Sequence, residues 1–169
     1  MAHLVVMAQN REPYVTDVQV ICSAFELLGD AAHCRKGTLA LASDWLEARE
    51  VPVSFDYRFD TGSLKLSLAR VPLAGGSVQL VLHQQADSWR LEAAFGEALV
   101  GELAALAAKA GVKLPAFELA GTASGRMQLR GGAQGLRDID WELETKQAGY
   151  SNAAGSQAAT TAASARSTA

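Results

Sequence analysis

Acidic residues occupy every second position of one segment, as Asp138, Asp140, Glu142 and Glu144. Clustered carboxylates are able to coordinate calcium or to act as a general acid and base. The three positions between them, however, hold large apolar residues. A strand with this alternation is buried on one face and solvated on the other. The spacing therefore favours a solvated outer face over a catalytic or metal site.

The three histidines are His3, His33 and His83, and no two of them stand in an H-x-x-x-H frame. The chain has no nucleophile elbow, no P-loop and no dinucleotide fingerprint. Its glycines flank predicted strands and do not lie in a strand-to-helix turn, so they form no phosphate loop. The sequence predicts that the protein is not an enzyme and uses no cofactor and no metal.

Cys22 and Cys34 lie twelve positions apart, with Gly29 and Asp30 between them as a turn. A bridge would close a short loop and contribute about 3 kcal/mol, and it would persist only in an oxidising compartment. Two buried free thiols are the alternative. A metal site would add His33 and would need a fourth ligand, which the sequence does not offer at a usual spacing. The residues by themselves leave the bridge and the free thiols both open.

The composition bounds the class of protein. The chain has 169 residues, 49% hydrophobic and 20% charged, which predicts one folded domain. Its net charge of −3 argues against a nucleic-acid partner. No window approaches the roughly 18 to 20 apolar residues of a membrane-spanning helix. Residues 4–8 form only a short apolar run, so we predict a strand there and no signal peptide; the chain is then cytosolic or a piece of a longer protein.

Alternation of apolar and polar residues dominates the chain between about residue 14 and residue 95. Strands are predicted over residues 15–22, 37–42, 53–59, 64–69, 78–83 and 89–95, and further strands near 125–130 and 138–144. Turn residues separate them, as in Asp60-Thr61-Gly62. The sequence predicts a mainly β fold, an antiparallel meander that forms a curved sheet or groove, with one short α-helix.

The helix is predicted near residues 98–110, where alanine is dense and Leu99, Leu103 and Leu106 share a face. Gly111 is a suitable residue to end it. Residues 1–150 are thus expected to form the β segment. Of the 19 residues from 151 to 169, 15 are Ala, Ser or Thr, which bury too little to offset their ordering entropy. Residues 151–169 are therefore predicted to be a disordered tail.

One short helix is too little to cover the apolar faces of so many strands. Either the sheet folds on itself as a sandwich, or it curves into a trough that faces something apolar, such as lipid acyl chains. Some inward residues are expected to pack on the helix instead. The inward, lipid-facing candidates are Val53, Phe55, Tyr57, Leu64, Leu66, Leu68, Val78, Leu80, Leu82, Trp89, Leu91, Met127, Leu129, Trp141 and Leu143.

Several short signatures then occur in order along the chain. They are Cys22, C-R-K-G-T-L at 34–39, L-A-G-G at 73–76, W-R-L at 89–91, the helix at 99–111, G-T-A-S-G at 121–125 and G-L-R-D-I-D-W at 135–141. Over roughly residues 14–155 this arrangement resembles the envelope proteins of the YdbH type, within the wider AsmA and TamB group of bridge-like lipid transfer proteins.

The resemblance implies a long β-groove that is anchored in the inner membrane, crosses the periplasm and carries phospholipid. It implies a periplasmic or inner-membrane-associated location, and thus an oxidising compartment in which Cys22 and Cys34 are bridged. The implied partners are phospholipid acyl chains and neighbouring β segments of a longer protein. Membrane contact would come only through parts that this chain lacks. The chain departs from the family in having no anchor and no strands beyond about residue 155, and we therefore expect it to be a truncated or frameshifted piece.

Two functions follow as expectations. The first is a non-enzymatic segment of a cell-envelope protein that binds or guides phospholipid along an apolar β-groove. The alternative is a closed β-sandwich scaffold, or assembly module, that pairs with another protein through its strand edges. An open apolar face would favour the first, and a sheet closed on itself would favour the second.

Overall fold

The structure is a computed structural model. It describes the backbone of residues 2–3, 6–7, 13–15, 17–42, 47–109, 118–152 and 155–168, and the side chains of residues 18–42, 47–109 and 120–146. Its elements are β1 (Ala2–His3), β2 (Val6–Met7), β3 (Pro13–Val15), β4 (Asp17–Cys22), β5 (Phe25–Leu28), β6 (Ala31–Ala42), β7 (Glu47–Arg58), β8 (Ser63–Leu73), β9 (Gly76–Gln85), β10 (Ser88–Leu99), α1 (Val100–Lys109), β11 (Glu118–Gly132), β12 (Gly135–Asn152) and β13 (Gly155–Thr168).

Eleven strands form one open antiparallel sheet, in the order β1-β4-β6-β7-β8-β9-β10-β11-β12-β13, with β5 beside β4 on the same edge of β6. From β6 onward each strand pairs with the next strand in sequence. Short connections link these antiparallel neighbours, except for β10 and β11, between which α1 lies. The strands β2 and β3 form a separate pair. The prediction of a mainly β antiparallel meander with one short helix is confirmed for the residues described.

The strands β7 and β8 pair along only part of their length. Their register runs from Arg58↔Ser63 to Val53↔Leu68, after which both strands continue without pairing to each other. From there β7 stays on β6, and β8 stays on β9. The sheet therefore divides at Val53 and Leu68, and its two halves diverge toward the end of the sheet that carries α1.

The hydrophobic core lies between the two diverging halves of the sheet. Its buried members are Leu39, Ala48, Val51, Val53, Val71, Val78 and Ala93. They come from strands on both sides of the division, and Val51 and Val71 are only 1% and 2% exposed. Because these side chains fill the space between the diverging strands, apolar burial replaces the lost backbone pairing at this end of the sheet.

Bulges bend the strands near the division. The β6–β7 register shifts between Leu39 and Leu41, and the β8–β9 register shifts between Leu68 and Val71. Glu50 and Arg70, which lie at these shifts, have φ values of 56°. A bulge adds an unpaired residue and increases the local twist, so it turns each strand away from its former neighbour.

The helix begins later than predicted. Residues 98 and 99 end β10, and α1 starts at Val100. The Leu99 amide donates to the Ala74 carbonyl at 2.7 Å, which ties the start of α1 to the β8–β9 turn. Leu103 and Leu106 are half-buried, while Leu99 is 43% exposed, so the predicted three-leucine face is incomplete. Position 110 and the predicted terminator Gly111 lie outside the described residues.

The C-terminal segment differs from the prediction of a disordered tail over residues 151–169. Residues 155–168 form β13, which pairs antiparallel with β12 from Asn152↔Gly155 to Asp138↔Thr168. A strand at an open edge gains backbone hydrogen bonds from its neighbour whatever its side chains are, and the sequence argument counted only side-chain burial. The sheet thus continues past residue 150.

The predicted strand over residues 4–8 is described only at Val6 and Met7, which form β2. Positions 4, 5 and 8 lie outside the described residues. The strand predicted over residues 15–22 is divided into β3 and β4, and the one predicted over 37–42 begins earlier, at Ala31.

Candidate binding face

The register brings apolar residues of successive strands into rows that cross the sheet. Residues directly opposite each other in an antiparallel ladder project to the same face. We call the face that carries these rows the apolar face. Row 1 contains Leu27, Ala32, Tyr57, Leu64, Gln84, Trp89 and Gly131; row 2 contains Phe25, Cys34, Phe55, Leu66, Leu82, Leu91, Leu129 and Ile139; row 3 contains Gly37, Val53, Leu68, Leu80, Ala93, Met127 and Trp141; row 4 contains Val71, Val78, Phe95, Gly125 and Leu143.

All fifteen lipid-facing candidates fall in these four rows, so the structure brings them together on one face. Tyr57, Leu64 and Trp89 lie in row 1, and Val78 and Leu143 lie in row 4. The remaining candidates occupy rows 2 and 3. Alternation alone assigned them correctly to a common face because the side-chain period of a strand is two.

Exposure along the apolar face is graded. Val53 in row 3 and Val78 in row 4 are buried, and they belong to the core. The other candidates are half-buried or exposed. Met127 and Trp141, which lie toward the β12 side, are each 37% exposed. The apolar face is therefore closed where the sheet divides, and it stays open toward the opposite strand ends and toward β12.

Some candidates contact the core without belonging to it. Leu66, Leu68 and Leu80 pack against the buried cluster, whereas Leu82 and Leu91 are outside it. Leu82 and Leu91 are directly opposite each other in β9 and β10, and both are half-buried. This pair marks the middle of the open part of the face.

The opposite face carries the charged residues. The predicted solvated cluster of acids lies here, across the ladder from arginines of β11. Arg126 is 3.7 Å from Glu142, and Arg130 is 4.0 Å from Asp140. A depression of about 860 Å³ on this side is lined largely by polar and charged residues of β9–β12. This depression is not the apolar groove that the sequence predicted, and its ion pairs are exposed and of small energetic weight.

Three charged residues join two hairpin turns at the open end of the face. Arg58 Nη2 donates to Asp30 at 2.8 Å and to Asp60 at 2.9 Å, and its Nε donates to Asp60 at 3.1 Å. The hydrogen bond from Arg58 lowers the pKa of Asp60 to about 2. Both carboxylates raise the pKa of Arg58. Asp60 acts through its hydrogen bond and its charge, and Asp30 acts mainly through its charge. Arg58 thus links the β5–β6 turn to the β7–β8 turn.

The two cysteines are bonded to each other. Cys22 and Cys34 form a disulfide with a Cα–Cα distance of 6.0 Å. Cys34 lies in row 2 and is 1% exposed, while Cys22 lies opposite Gly37 at the edge of row 3. The bridge therefore fastens the end of β4 to β6 on the apolar face.

Within the described side chains, no group of three or more His, Cys, Asp or Glu residues is placed to hold a metal ion. His33 lies on the charged face, where its Nδ1 is 2.6 Å from Asp56. No helix in the described part of the chain has the length and apolar character needed to cross a membrane.

The sequence argument missed the residues that close the core, chiefly Val51, Val71 and Phe95. A signal for them was present. Pro52 and Pro72 lie just outside the predicted strands 53–59 and 64–69 but inside the observed β7 and β8, and proline in a strand marks an edge or a bulge because it lacks an amide donor. Both prolines lie in the stretches of β7 and β8 that do not pair with each other.

Comparison of the chain with models of protein families, with curated proteins and with solved structures finds no match. The resemblance to the YdbH type therefore rests on the short signatures in the sequence.

Proposed function

We propose that the chain is a non-enzymatic β segment of a cell-envelope protein that binds phospholipid acyl chains along the open part of its apolar face. Rows 1 and 2 place leucine and aromatic side chains of β7–β11 side by side, and row 2 continues to Ile139 of β12. Acyl chains require apolar contact and no specific polar partner, which suits a surface of this composition. The disulfide is compatible with an oxidising periplasmic location, which the sequence resemblance suggests.

The observation that carries the proposal is the graded exposure of one continuous apolar face. A closed β-sandwich would bury all four rows, yet the described sheet is open and Leu82, Trp89 and Leu91 keep part of their surface. The closed-sandwich form of the alternative function is therefore not supported. Exposed apolar surface of this continuity is typical of a binding face.

A charge placed on the open part of the face tests the proposal. The variants are Leu82→Glu and Leu91→Glu, chosen because neither residue packs against the core. The matched control is Gln79→Glu, which adds the same charge to β9 but on the opposite face. A photo-reactive residue at Leu129, in row 2, reports contact with radiolabelled acyl chains in vesicles of phosphatidylethanolamine and phosphatidylglycerol.

We expect the parent and the Gln79→Glu variant to crosslink lipid, and the two leucine variants to lose most of the crosslink while keeping the circular dichroism of the parent. Because their side chains are half-buried, the glutamates are able to reach water and should cost less than a fully buried charge. If they unfold the chain, Leu82→Asn and Leu91→Asn repeat the test without charge. A parent that does not crosslink, or folded leucine variants that crosslink as the parent does, would overturn the proposal.

A further inference from the structure

Four basic residues from successive strands form a row across the charged face of the sheet. They are Lys65 in β8, His83 in β9, Arg90 in β10 and Arg130 in β11. The register places each of them directly opposite the next. We call these four residues the basic row. Because neighbouring strands lie about 4.8 Å apart, the two ends of the row are about 14 Å from each other.

The acidic residues at the two ends of the basic row do not neutralise it. Asp56 is the ladder partner of Lys65, but its carboxylate is 2.6 Å from His33 Nδ1. Within the described part of the chain, neither Lys65 nor His83 forms an ion pair. Like charges that face each other across a ladder destabilise a sheet. The basic row therefore costs the sheet stability unless an anion lies against it.

Arg90 and Arg130 also line the depression of about 860 Å³ on this face, and Arg126 lines it with them. The volume is within the range of small-ligand sites. Each guanidinium carries five N–H donors and no acceptor. Among the described residues, Gln128 is the one side chain that accepts a hydrogen bond from these three arginines, and its donor is Arg130. Most of the donors that line the depression thus have no acceptor from the described residues.

The carboxylates beside the depression do not take up these donors. The ion pairs of Arg126 and Arg130 are 3.7 and 4.0 Å long, which is beyond hydrogen-bond distance. Arg90 is closer to its partner, with Nη2 2.7 Å from Glu92, but that carboxylate already accepts a hydrogen bond from Gln128. Such exposed contacts are weak, so a bound anion displaces them at little cost.

We propose that the basic row and Arg126 bind a phosphate group in this depression. A phosphate accepts two parallel N–H donors from one guanidinium and has further oxygens for a second one, so it bridges Arg90 and Arg130 and relieves their repulsion. The phosphate belongs either to a phospholipid head group or to a soluble phosphate ester. The site lies on the face opposite the apolar face, and it does not depend on the binding of acyl chains there.

Isothermal titration calorimetry of the full, oxidised chain with inorganic pyrophosphate tests the site. We expect the parent to bind, and Arg90→Gln and Arg130→Gln each to weaken binding by about tenfold or more, because each loses charged hydrogen bonds to the anion. The matched control is Arg49→Gln. Arg49 pairs with Glu47 two positions away in β7, as Arg90 pairs with Glu92 in β10, and it lies outside the basic row and the depression. This variant should bind as the parent does.

The source of the phosphate is distinguished by NMR of the Arg90 side-chain Nε–H signal. The chain is titrated with dihexanoyl phosphatidic acid below its micelle concentration and, separately, with glycerol 3-phosphate. Tighter binding of the phosphatidic acid at this signal would assign the site to a phospholipid head group. Equal binding of the two compounds would assign it to a soluble phosphate ester, and both results support a phosphate site.

A purely structural role for the arginines makes the opposite predictions. Arg90→Gln and Arg130→Gln would then lower the midpoint of thermal unfolding and leave the affinity for pyrophosphate unchanged. With a phosphate site, the midpoint without ligand should stay the same or rise, since a like-charge contact is removed. A parent that does not bind pyrophosphate, glutamine variants that bind as the parent does, or an equal loss in Arg49→Gln would overturn the proposal.

Discussion

The indole ring of Trp89 lies against the backbone of Gly131, its direct partner in the β10–β11 ladder. A Cβ atom at position 131 would overlap the ring and would lie 2.6 Å from the Gly135 carbonyl oxygen. Glycine is thus required at 131 so that a large aromatic side chain in row 1 can pack against the neighbouring strand.

We predict that Gly131→Ala destabilises the chain by about 1–3 kcal/mol, because the ring and the strand must both shift. Chemical denaturation followed by tryptophan fluorescence measures this. Gly96→Ala is the matched control, since nothing lies within 4 Å of a Cβ at that position, and its effect should stay below about 1 kcal/mol. Equal losses for the two variants would contradict the assigned contact.

Removing the disulfide should loosen the edge of the sheet. The double variant Cys22→Ala/Cys34→Ala is expected to lose about 3 kcal/mol of unfolding free energy, since the bridge closes a loop of twelve positions. Mass spectrometry of chain purified from an oxidising compartment and alkylated without reduction should show no alkylated cysteine. Two alkylated thiols, or a double variant as stable as the parent, would count against the bridge.

The Arg58 cluster predicts a dependence of stability on acidic pH. The pKa of Asp60 in the folded chain, about 2, is below its ordinary value of about 3.9. The folded state therefore binds this proton less readily, so the stabilisation is present above about pH 4 and is lost as the pH falls through about 2. A carbon-detected NMR titration of Asp60 measures the pKa. In Arg58→Gln the pKa should rise toward the ordinary value, and an unchanged titration would contradict the assigned cause.

Truncation after Asn152 would remove β13 and expose the outer edge of β12. We expect hydrogen exchange to become faster at the β12 amides that pair with β13, while the amides of β7–β10 keep their protection, because β13 pairs with β12 at the far end of the strand order from these strands. Exchange that is unchanged in β12 would indicate that β13 does not pair there. Global unfolding of the truncated chain would show a larger role for the segment than edge pairing.

Much of the fold was predictable from the sequence because a half-buried strand alternates apolar and polar residues with a period of two. The alternation around Phe55, Leu66 and Leu82 assigned these residues to one face, and the register confirms that face. Turn residues located a hairpin correctly at Asp60-Thr61-Gly62, which lies between β7 and β8. The periodic pattern does not depend on tertiary context, and this is why it succeeds.

The division of the sheet was not predicted, because it depends on where two strands stop pairing. Alternation continues through Val51 and Val53 without a break, although the sheet divides beside Val53. The strand β13 was missed for a related reason, since its pairing comes from backbone groups that every residue carries. Which apolar residues stay open therefore needs the three-dimensional register, and whether lipid occupies them remains a prediction.

The pairing of each strand with its successor from β6 onward also has a kinetic consequence. Except for β10 and β11, which α1 and residues 110–117 separate, the neighbouring strands of this part of the sheet are joined by a few residues, so most of the loops that must close during folding are short. Proteins rich in such local contacts fold faster than β proteins whose strands pair across long separations. A chain of this kind is able to grow or shrink by whole hairpins, with each new hairpin using the one before it as a template.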